Sequence, residues 1–400
     1  VSVNIKIATR VRVALTSLAI GLFVLILAGS LADAHSIPFA DFVAGDSSAD
    51  VHIGVLGLFH PLELTVSAPA GSALLVCAGA ERVVLEKSSG VDSASIRMNV
   101  RIISAGEEGE ASEVVVTAGR DVFRAPKITV SGRKNEPADF VLSVPHKITR
   151  RYRGTLEIRP SSGTLIAIIA MDRETAVASV VAAESTPDTP FEAMKAQAVA
   201  ARSYLVASRG RHHEFDFCDT THCQFLRELP APETAAAKAA VATRGLVLAY
   251  ESHPIAAMYT RSCSGRTRTP ADLGLAAAAY PYFSVECKHC LAHPVRWSSR
   301  ISAQDATPLH SSNESARLNI DRRLGWNVVP SNDFVVKTER DQGTHGRSIN
   351  DQIVVEGTGQ GHGIGLCQAG ARAMAEEGAD FRKILSHYYP NTALVTFTRE

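Results

Sequence analysis

The sequence has no surplus of charge. Its 41 basic side chains are matched by 41 acidic ones, and no basic block of the kind that neutralises a phosphate backbone interrupts it. This excludes a polycation built for nucleic acid and points to a partner that is neutral or of small charge. The composition of a disordered chain is also lacking, because 46% of the 400 residues are hydrophobic, and the length suits two domains. No repeat of fixed period runs through it. After the first 30 or so residues no apolar stretch is long enough to span a bilayer, so the body is expected to be soluble, with no membrane span in the mature chain.

The amino end has its own character. Lys6, Arg10 and Arg12 precede an apolar run from Val13 to Gly29, and Ala32-Asp33-Ala34 supplies small residues for cleavage. Residues 1–34 therefore read as a signal peptide. The run is also near the shortest that spans a bilayer, about 17 residues, which leaves an uncleaved anchor as the rival reading. Either way the remainder is exported, to a periplasm or the cell envelope. Seven cysteines follow, at positions 77, 218, 223, 263, 287, 290 and 367. In an oxidising compartment some should pair, and an odd count leaves at least one thiol free, bound to metal or paired outside the chain.

Residues 35–150 read as a sheet-rich domain of short strands, at about 51–56, 62–67, 73–77, 82–85, 113–117 and 128–130, with another at 155–158. Its scattered Glu and Arg look like a solvated face. From 151 to 400 helices alternate with strands, giving an α+β fold. A helix from Glu174 to Glu184 is stopped by Ser185-Thr186-Pro187. The next should be opened by Thr189 and Glu192 as a capping box, and bury Phe191, Met194, Ala198, Ala201 and Leu205 as a stripe. A third helix is expected from Pro232 to Arg244, then a hairpin through 246–260, a strand at 352–356 and helices at 366–377 and 380–389.

Within this part five groups could carry chemistry. Val177, Val180, Val181 and Glu184 fall at i, i+3, i+4 and i+7, which sets a carboxylate on an apolar helix face. Burial raises a carboxyl pKa, as an acid catalyst of glycosidic cleavage requires; the plain alternative is an ion pair at a helix end. Lys195, Arg202 and Arg209 share one side of the following helix, with Gln197 and Tyr204 nearby, as a sugar-binding flank or a solvated face. His212, His213, Cys218, His222 and Cys223 lie within twelve positions; of these His212, Cys218, His222 and Cys223 are the candidate ligands of a structural Zn²⁺, with a disulfide as the alternative. Cys287-Lys-His-Cys290 is a C-x-x-C, either a structural disulfide or half of a metal site. The run Gly357 to Gly365 places glycine at every second residue, but G-x-G-x-x-G fails because positions 362, 364 and 366 are His, Ile and Leu. No nucleotide site is expected there. His362 projects from this loop, whose alternative role is a tight turn.

Several blocks then appear in a fixed order: Leu156-Glu-Ile, Val180-Val-Ala-Ala-Glu184-Ser, Glu192-Ala-Met-Lys-Ala-Gln-Ala-Val-Ala-Ala-Arg-Ser-Tyr204, Asp219-Thr-Thr-His-Cys-Gln224, Tyr259 with Ser264-Gly265-Arg-Thr267, Gly361-His-Gly-Ile-Gly-Leu-Cys-Gln368-Ala-Gly-Ala371 and Ile384-Leu-Ser-His-Tyr-Tyr389. Over about 150–400 the chain resembles the SpoIID/LytB family of sporulation and cell-wall proteins. The resemblance implies a SpoIID-like catalytic core, a peptidoglycan substrate and lytic transglycosylase activity. Glu184 would be the acid and base that cleaves between N-acetylmuramic acid and N-acetylglucosamine to leave a 1,6-anhydro sugar. It also implies that Arg202, Tyr204, Gln197, His362 and Gln368 line the glycan cleft, and that zinc binds in the region of His212 to Cys223. No cofactor is required for the chemistry. Other members of the family act as enhancers of a cell-wall amidase, so such an amidase is a second expected partner. A hydrolase would need a second carboxylate; none stands out by position, with Asp188, Asp216 and Asp219 left as candidates. The sequence departs from the family in reading Cys263-Ser-Gly-Arg after the hairpin and in adding the Cys287/Cys290 pair.

Overall fold

The computed structural model describes residues 50–400 apart from 88–89, 102–110, 311–313, 339–351 and 398–400; the expected signal peptide lies outside the described residues. Among the described residues eleven strands come first: β1 (Asp50–Val55), β2 (Glu63–Ser67), β3 (Leu74–Ala78), β4 (Glu81–Leu85), β5 (Ser93–Arg101), β6 (Ala111–Ala118), β7 (Asp121–Ala125), β8 (Ile128–Ser131), β9 (Ala138–Val144), β10 (Ile148–Ser161) and β11 (Thr164–Asp172). Alternation of buried and open side chains drives several of them; in β2, Leu64 and Val66 point inward from between open neighbours. The long β10 pairs antiparallel with β9 along its first half and with β8 and β11 along its second. Residue 150, the expected domain boundary, therefore falls inside a strand. The sheet also takes in a piece from far along the chain: β12 (Phe217–Cys218) lies parallel to β1, with Ile53 opposite Phe217 and Gly54 opposite Cys218.

Two helices follow the sheet and share its core. Helix α1 (Arg173–Glu184) is capped by Asp172, whose carboxylate accepts the Thr175 N–H. Helix α2 (Phe191–Ala207) has no side-chain cap. The expected capping box fails because the cap position is Pro190, one residue beyond Thr189; proline has no side-chain acceptor, and Glu192 then stands one residue short of the position a capping box needs. Thr189 instead takes the Thr186 N–H, and Glu192 takes the Phe381 N–H and pairs with Lys195. Met194, Ala198, Ala201 and Leu205 are buried as expected, against the sheet and the valines of α1. Phe191 is 42% exposed, with the Lys195 ammonium over its ring.

The opposite face of α2 is buried too. Ala196, Val199 and Ala200 join a second core with Leu248, Ile364, Ile384, Tyr388 and Tyr389. Alanines allow this close approach on both sides. Helix α3 (Ala235–Ala242) returns to the first core through Ala236, Ala239 and Ala240, and around the second lie β13 (Leu246–Tyr250), β14 (His253–Pro254), β15 (Tyr259–Thr260) and α4 (Lys288–Ala292), and later β19 (Leu366–Cys367), α6 (Gln368–Glu376), α7 (Phe381–Tyr388) and β20 (Ala393–Thr396). Between them β16 (Arg296–Ser302), β17 (Asp333–Thr338), β18 (Gln352–Thr358) and α5 (Glu314–Leu324) form a small layer with its own core of Ile301, Ile320, Val329 and Val355. The fold is α+β. Among the described residues no helix is long and apolar enough to cross a membrane.

Arg202 holds the helices together. It is fully buried, donates through Nε and Nη2 to both oxygens of Glu174 at 2.8 and 2.7 Å, and donates to the carbonyls of Ala240 and Leu246 at 3.1 Å each. One guanidinium thereby joins α1, α2, α3 and β13. Removing it strands a carboxylate in the interior, so Arg202→Met should lower the unfolding free energy by about 3 kcal/mol. Glu174→Met/Arg202→Met should recover part of that loss; chemical denaturation of the three chains measures both.

Candidate active site

Glu184 is the last residue of α1, at the end where the helix dipole disfavours a negative charge. Its side chain is half-buried. Burial, the largest influence, lifts its pKa above the ordinary glutamate value; the Gln368 amide, the Phe225 N–H, the charge of Arg261 and the Tyr259 hydroxyl pull the other way. Gln368 Nε2 donates to Glu184 Oε2 at 3.2 Å and also reaches Gln197 Oε1 at 3.3 Å. The Tyr259 hydroxyl lies within hydrogen-bonding reach of Glu184 and 3.3 Å from Gln224 Oε1, and its one proton can serve either acceptor. Gln224 in turn donates to the Ala201 carbonyl of α2 at 3.1 Å. The buried Nε2 of Gln197 finds no acceptor among the described residues. The carboxyl is thus surrounded by neutral donors, an environment that tolerates both its protonated and ionised forms.

The loop that brings Gln224 and Phe225 to this carboxyl is shaped by the cysteine and histidine cluster just before them. His212, Cys218, His222 and Cys223 place one ligand atom each within 4.8 Å of all the others. His212 Nε2 is 3.2 Å from Cys223 Sγ, and His222 Nδ1 is 3.5 Å from Cys223 Sγ and 3.8 Å from Cys218 Sγ. Of the two thiols Cys218 is the one whose pKa is driven down, first by the hydrogen bond from Cys223 and then, against the pull of burial, by those of His222 and Thr220. Two imidazoles and two thiols converging in this way suit one tetrahedral ion.

On the other side the alternate glycines end at Gly365, where φ is +73° and an added Cβ would overlap the Met258 carbonyl oxygen. Only glycine fits that approach, and it delivers Leu366 and Cys367 to pair with Tyr259 and Thr260. The loop is a tight turn that positions Gln368.

The expected cleft residues separate. Gln197 and Gln368 join Glu184. Arg202 does not: the expectation that it faces a glycan is corrected by its complete burial against Glu174 and backbone carbonyls. The flank it was to share with Lys195 and Arg209 is dispersed, Lys195 on Glu192 and Arg209 on the Asp50 carbonyl. Tyr204 is buried against Phe217, and its hydroxyl accepts from Arg211. His362 accepts the Ile364 N–H through Nδ1 at 3.0 Å; burial lowers its pKa, and the charges that act on it are those of Glu314 and Arg317. The candidate second carboxylates are also engaged away from Glu184. Asp188 pairs with Arg372, Asp216 accepts the His52 N–H, and Asp219 accepts from Leu56 and Arg150 while burial pushes it up to about 6. Tyr259, Gln224, Arg261 and the Phe225 N–H were not predicted as site residues. Tyr259 and Gln224 did stand inside the motif blocks, which was the available signal.

Residues 161–250, which hold Glu184, Gln197, Gln224 and the first ligand cluster, match the SpoIID family, described as Stage II sporulation protein. Over this segment the chain is similar to the SpoIID family. The stage II sporulation protein D of Bacillus amyloliquefaciens is 27% identical over 255 residues, 53% of this chain and 71% of that SpoIID protein. An uncharacterised protein of Brachyspira hyodysenteriae is 27% identical over 281 residues, 62% of this chain and 73% of its own. A shorter stretch is 46% identical over 46 residues to the amidase enhancer of Bacillus subtilis, 12% of this chain and 6% of that protein.

If the Gln368 amide holds the ionised form of Glu184, as the 3.2 Å contact indicates, then Gln368→Leu should raise the carboxyl's titration midpoint further. Carboxyl ¹³C chemical shifts of Glu184 against pH in the two chains measure this; an unchanged midpoint would place the amide's influence elsewhere.

Proposed function

We propose that this chain is a peptidoglycan lytic transglycosylase in which Glu184 is both acid and base. The observation that carries the reading is one half-buried carboxyl, raised in pKa by burial and ringed by the neutral donors Gln368, Tyr259 and the Phe225 N–H. In the protonated state Glu184 gives its proton to the oxygen linking N-acetylmuramic acid to N-acetylglucosamine, and the bond from that oxygen to C1 breaks. The resulting carboxylate takes the proton of the muramic C6 hydroxyl as its oxygen closes on C1, forming the 1,6-anhydro ring. One carboxyl serves both steps. The engagement of Asp188, Asp216 and Asp219 elsewhere favours this over a hydrolysis that needs a second carboxylate. A cell-wall role and an exported location agree with the sporulation and amidase-enhancer relatives.

We further propose that His212, Cys218, His222 and Cys223 hold a structural Zn²⁺. Four protein ligands fill a tetrahedral ion and leave no open position for water, so the ion would stiffen the loop carrying Gln224 and Phe225 and take no part in the reaction. A second reading, an enhancer of a cell-wall amidase, rests on the 46-residue match to the protein of that name.

The deciding experiment is mass spectrometry of soluble products from intact and peptide-stripped peptidoglycan. Wild-type chain should release anhydro-sugar ends, and Glu184→Gln should cut that release by about 10²–10⁴-fold. Reducing ends would mean hydrolysis; no product from either chain, with stimulation of an added amidase by both, would establish the enhancer. The pH dependence follows from the raised pKa. The active form is protonated, so kcat/KM should be full below the Glu184 pKa and fall as pH rises through it, at a pH above the ordinary glutamate range.

A further inference from the structure

Four of the remaining cysteines meet in the second core. Cys263 follows β15, Cys287 and Cys290 bracket the first turn of α4, and Cys367 ends β19; they are 3%, 2%, 1% and 0% exposed. Their sulfurs all lie within 4.8 Å of one another, with Cys290 and Cys367 at 3.6 Å. A tetrahedral ion with Zn–S bonds of about 2.3 Å sets its sulfurs about 3.8 Å apart, close to this spacing. An iron–sulfur cube puts each cysteine on a different iron and holds the sulfurs farther apart than one atom's shell.

The surroundings point the same way. The Gly370 N–H is aimed at Cys367 Sγ at 3.5 Å, the Tyr388 hydroxyl at Cys287 Sγ at 3.5 Å, and the Ser262 hydroxyl lies 3.4 Å from Cys290 Sγ. Two donors on two sulfurs, with a hydroxyl placed to serve a third, are what metal-bound thiolates call for, since four thiolates on a divalent ion carry excess negative charge. Neutral thiols or disulfides are weak acceptors and would gain little from such partners. Gly370 is shaped to this node: an added Cβ would lie 2.5 Å from Cys287 Sγ and overlap the Tyr388 hydroxyl.

We propose that Cys263, Cys287, Cys290 and Cys367 bind one Zn²⁺ as a closed tetrathiolate site, separate from the His212 cluster, that fixes the start of α6. Cys367 directly precedes Gln368, the residue that donates to Glu184, so the ion would act as a positioning anchor for the acid's neighbour. The assignment rests on the cysteine geometry and not on the reaction proposed above.

The test uses the full chain purified without reductant. Cys218→Ser/Cys223→Ser, which dismantles the other cluster, should retain about one zinc per chain by plasma mass spectrometry, and X-ray absorption should find about four sulfurs at about 2.3 Å. Cys287→Ser/Cys290→Ser should lose that zinc. If either variant fails to fold, the wild-type chain decides: about three sulfurs per zinc on average if both clusters are loaded, about two if only the His212 cluster is. Alkylation of wild-type chain in denaturant with a chelator and no reductant should then label all seven cysteines. Blocked cysteines mapped to disulfides among these four, a metal-free node with free thiols, or a metal other than zinc would each overturn the assignment.

Discussion

A single buried guanidinium organises the helical part of this protein. Arg202 spends its donors on Glu174 and on backbone carbonyls from three further segments, and an ion pair so deeply placed tolerates little displacement, because each partner loses water as well as its mate. The consequence reaches Glu184 through α1. Glu174 and Glu184 stand on one rigid helix, so anchoring the first carboxylate fixes the direction in which the second emerges. One acid is tied down by a guanidinium, and the other is left half-buried among the Gln368 amide, the Phe225 N–H, the Tyr259 hydroxyl and the charge of Arg261.

The surroundings of Glu184 come from two loops that share a construction. In each a cysteine precedes a glutamine, Cys223 before Gln224 and Cys367 before Gln368, and in each the cysteine belongs to a cluster of four soft ligands. Short irregular segments bury too little apolar surface to hold a side chain to a few tenths of an ångström. A metal ion held by the convergent sulfurs and imidazoles at their roots, as proposed above, would supply the missing constraint. Tyr259 bridges the two loops, its hydroxyl on Gln224 and its backbone paired with Leu366.

Much of this was legible in the sequence, and the parts that were not have a common cause. The valines at i, i+3 and i+4 placed Glu184 on an apolar face, and α1 has its expected end. The strand at 352–356 was expected and is β18, but the strand at 164–172 and the partners β16 and β17 were missed, since short apolar runs in this part of the chain resemble loops or helix fragments. Arg202 was misread because periodicity tells which residues share a side of a helix and not what covers that side. In α2 both faces are covered. Cys287 and Cys290 announced themselves by spacing, whereas Cys263 and Cys367 are 24 and 77 residues away from that pair's nearer member and no local pattern links them. Tyr259, Arg261 and the Phe225 N–H reach Glu184 only through tertiary packing.

The parallel pairing of β1 with β12 bears on how such a chain comes together. Gly54 lies opposite Cys218, and the ring of Phe215 sits where a side chain at position 54 would be. The opening strand thus completes its hydrogen bonds only with a segment some 160 residues later, while Glu184 meets a partner 184 residues further on. Contacts of such long range delay folding, because the cost of closing large loops precedes any gain from burial. A chain emerging from its amino end would carry all of the first sheet's earlier strands and the acid itself before either wall of the site existed. Assembly of the site is therefore a late event, set by arrival of the segment that carries Gln368.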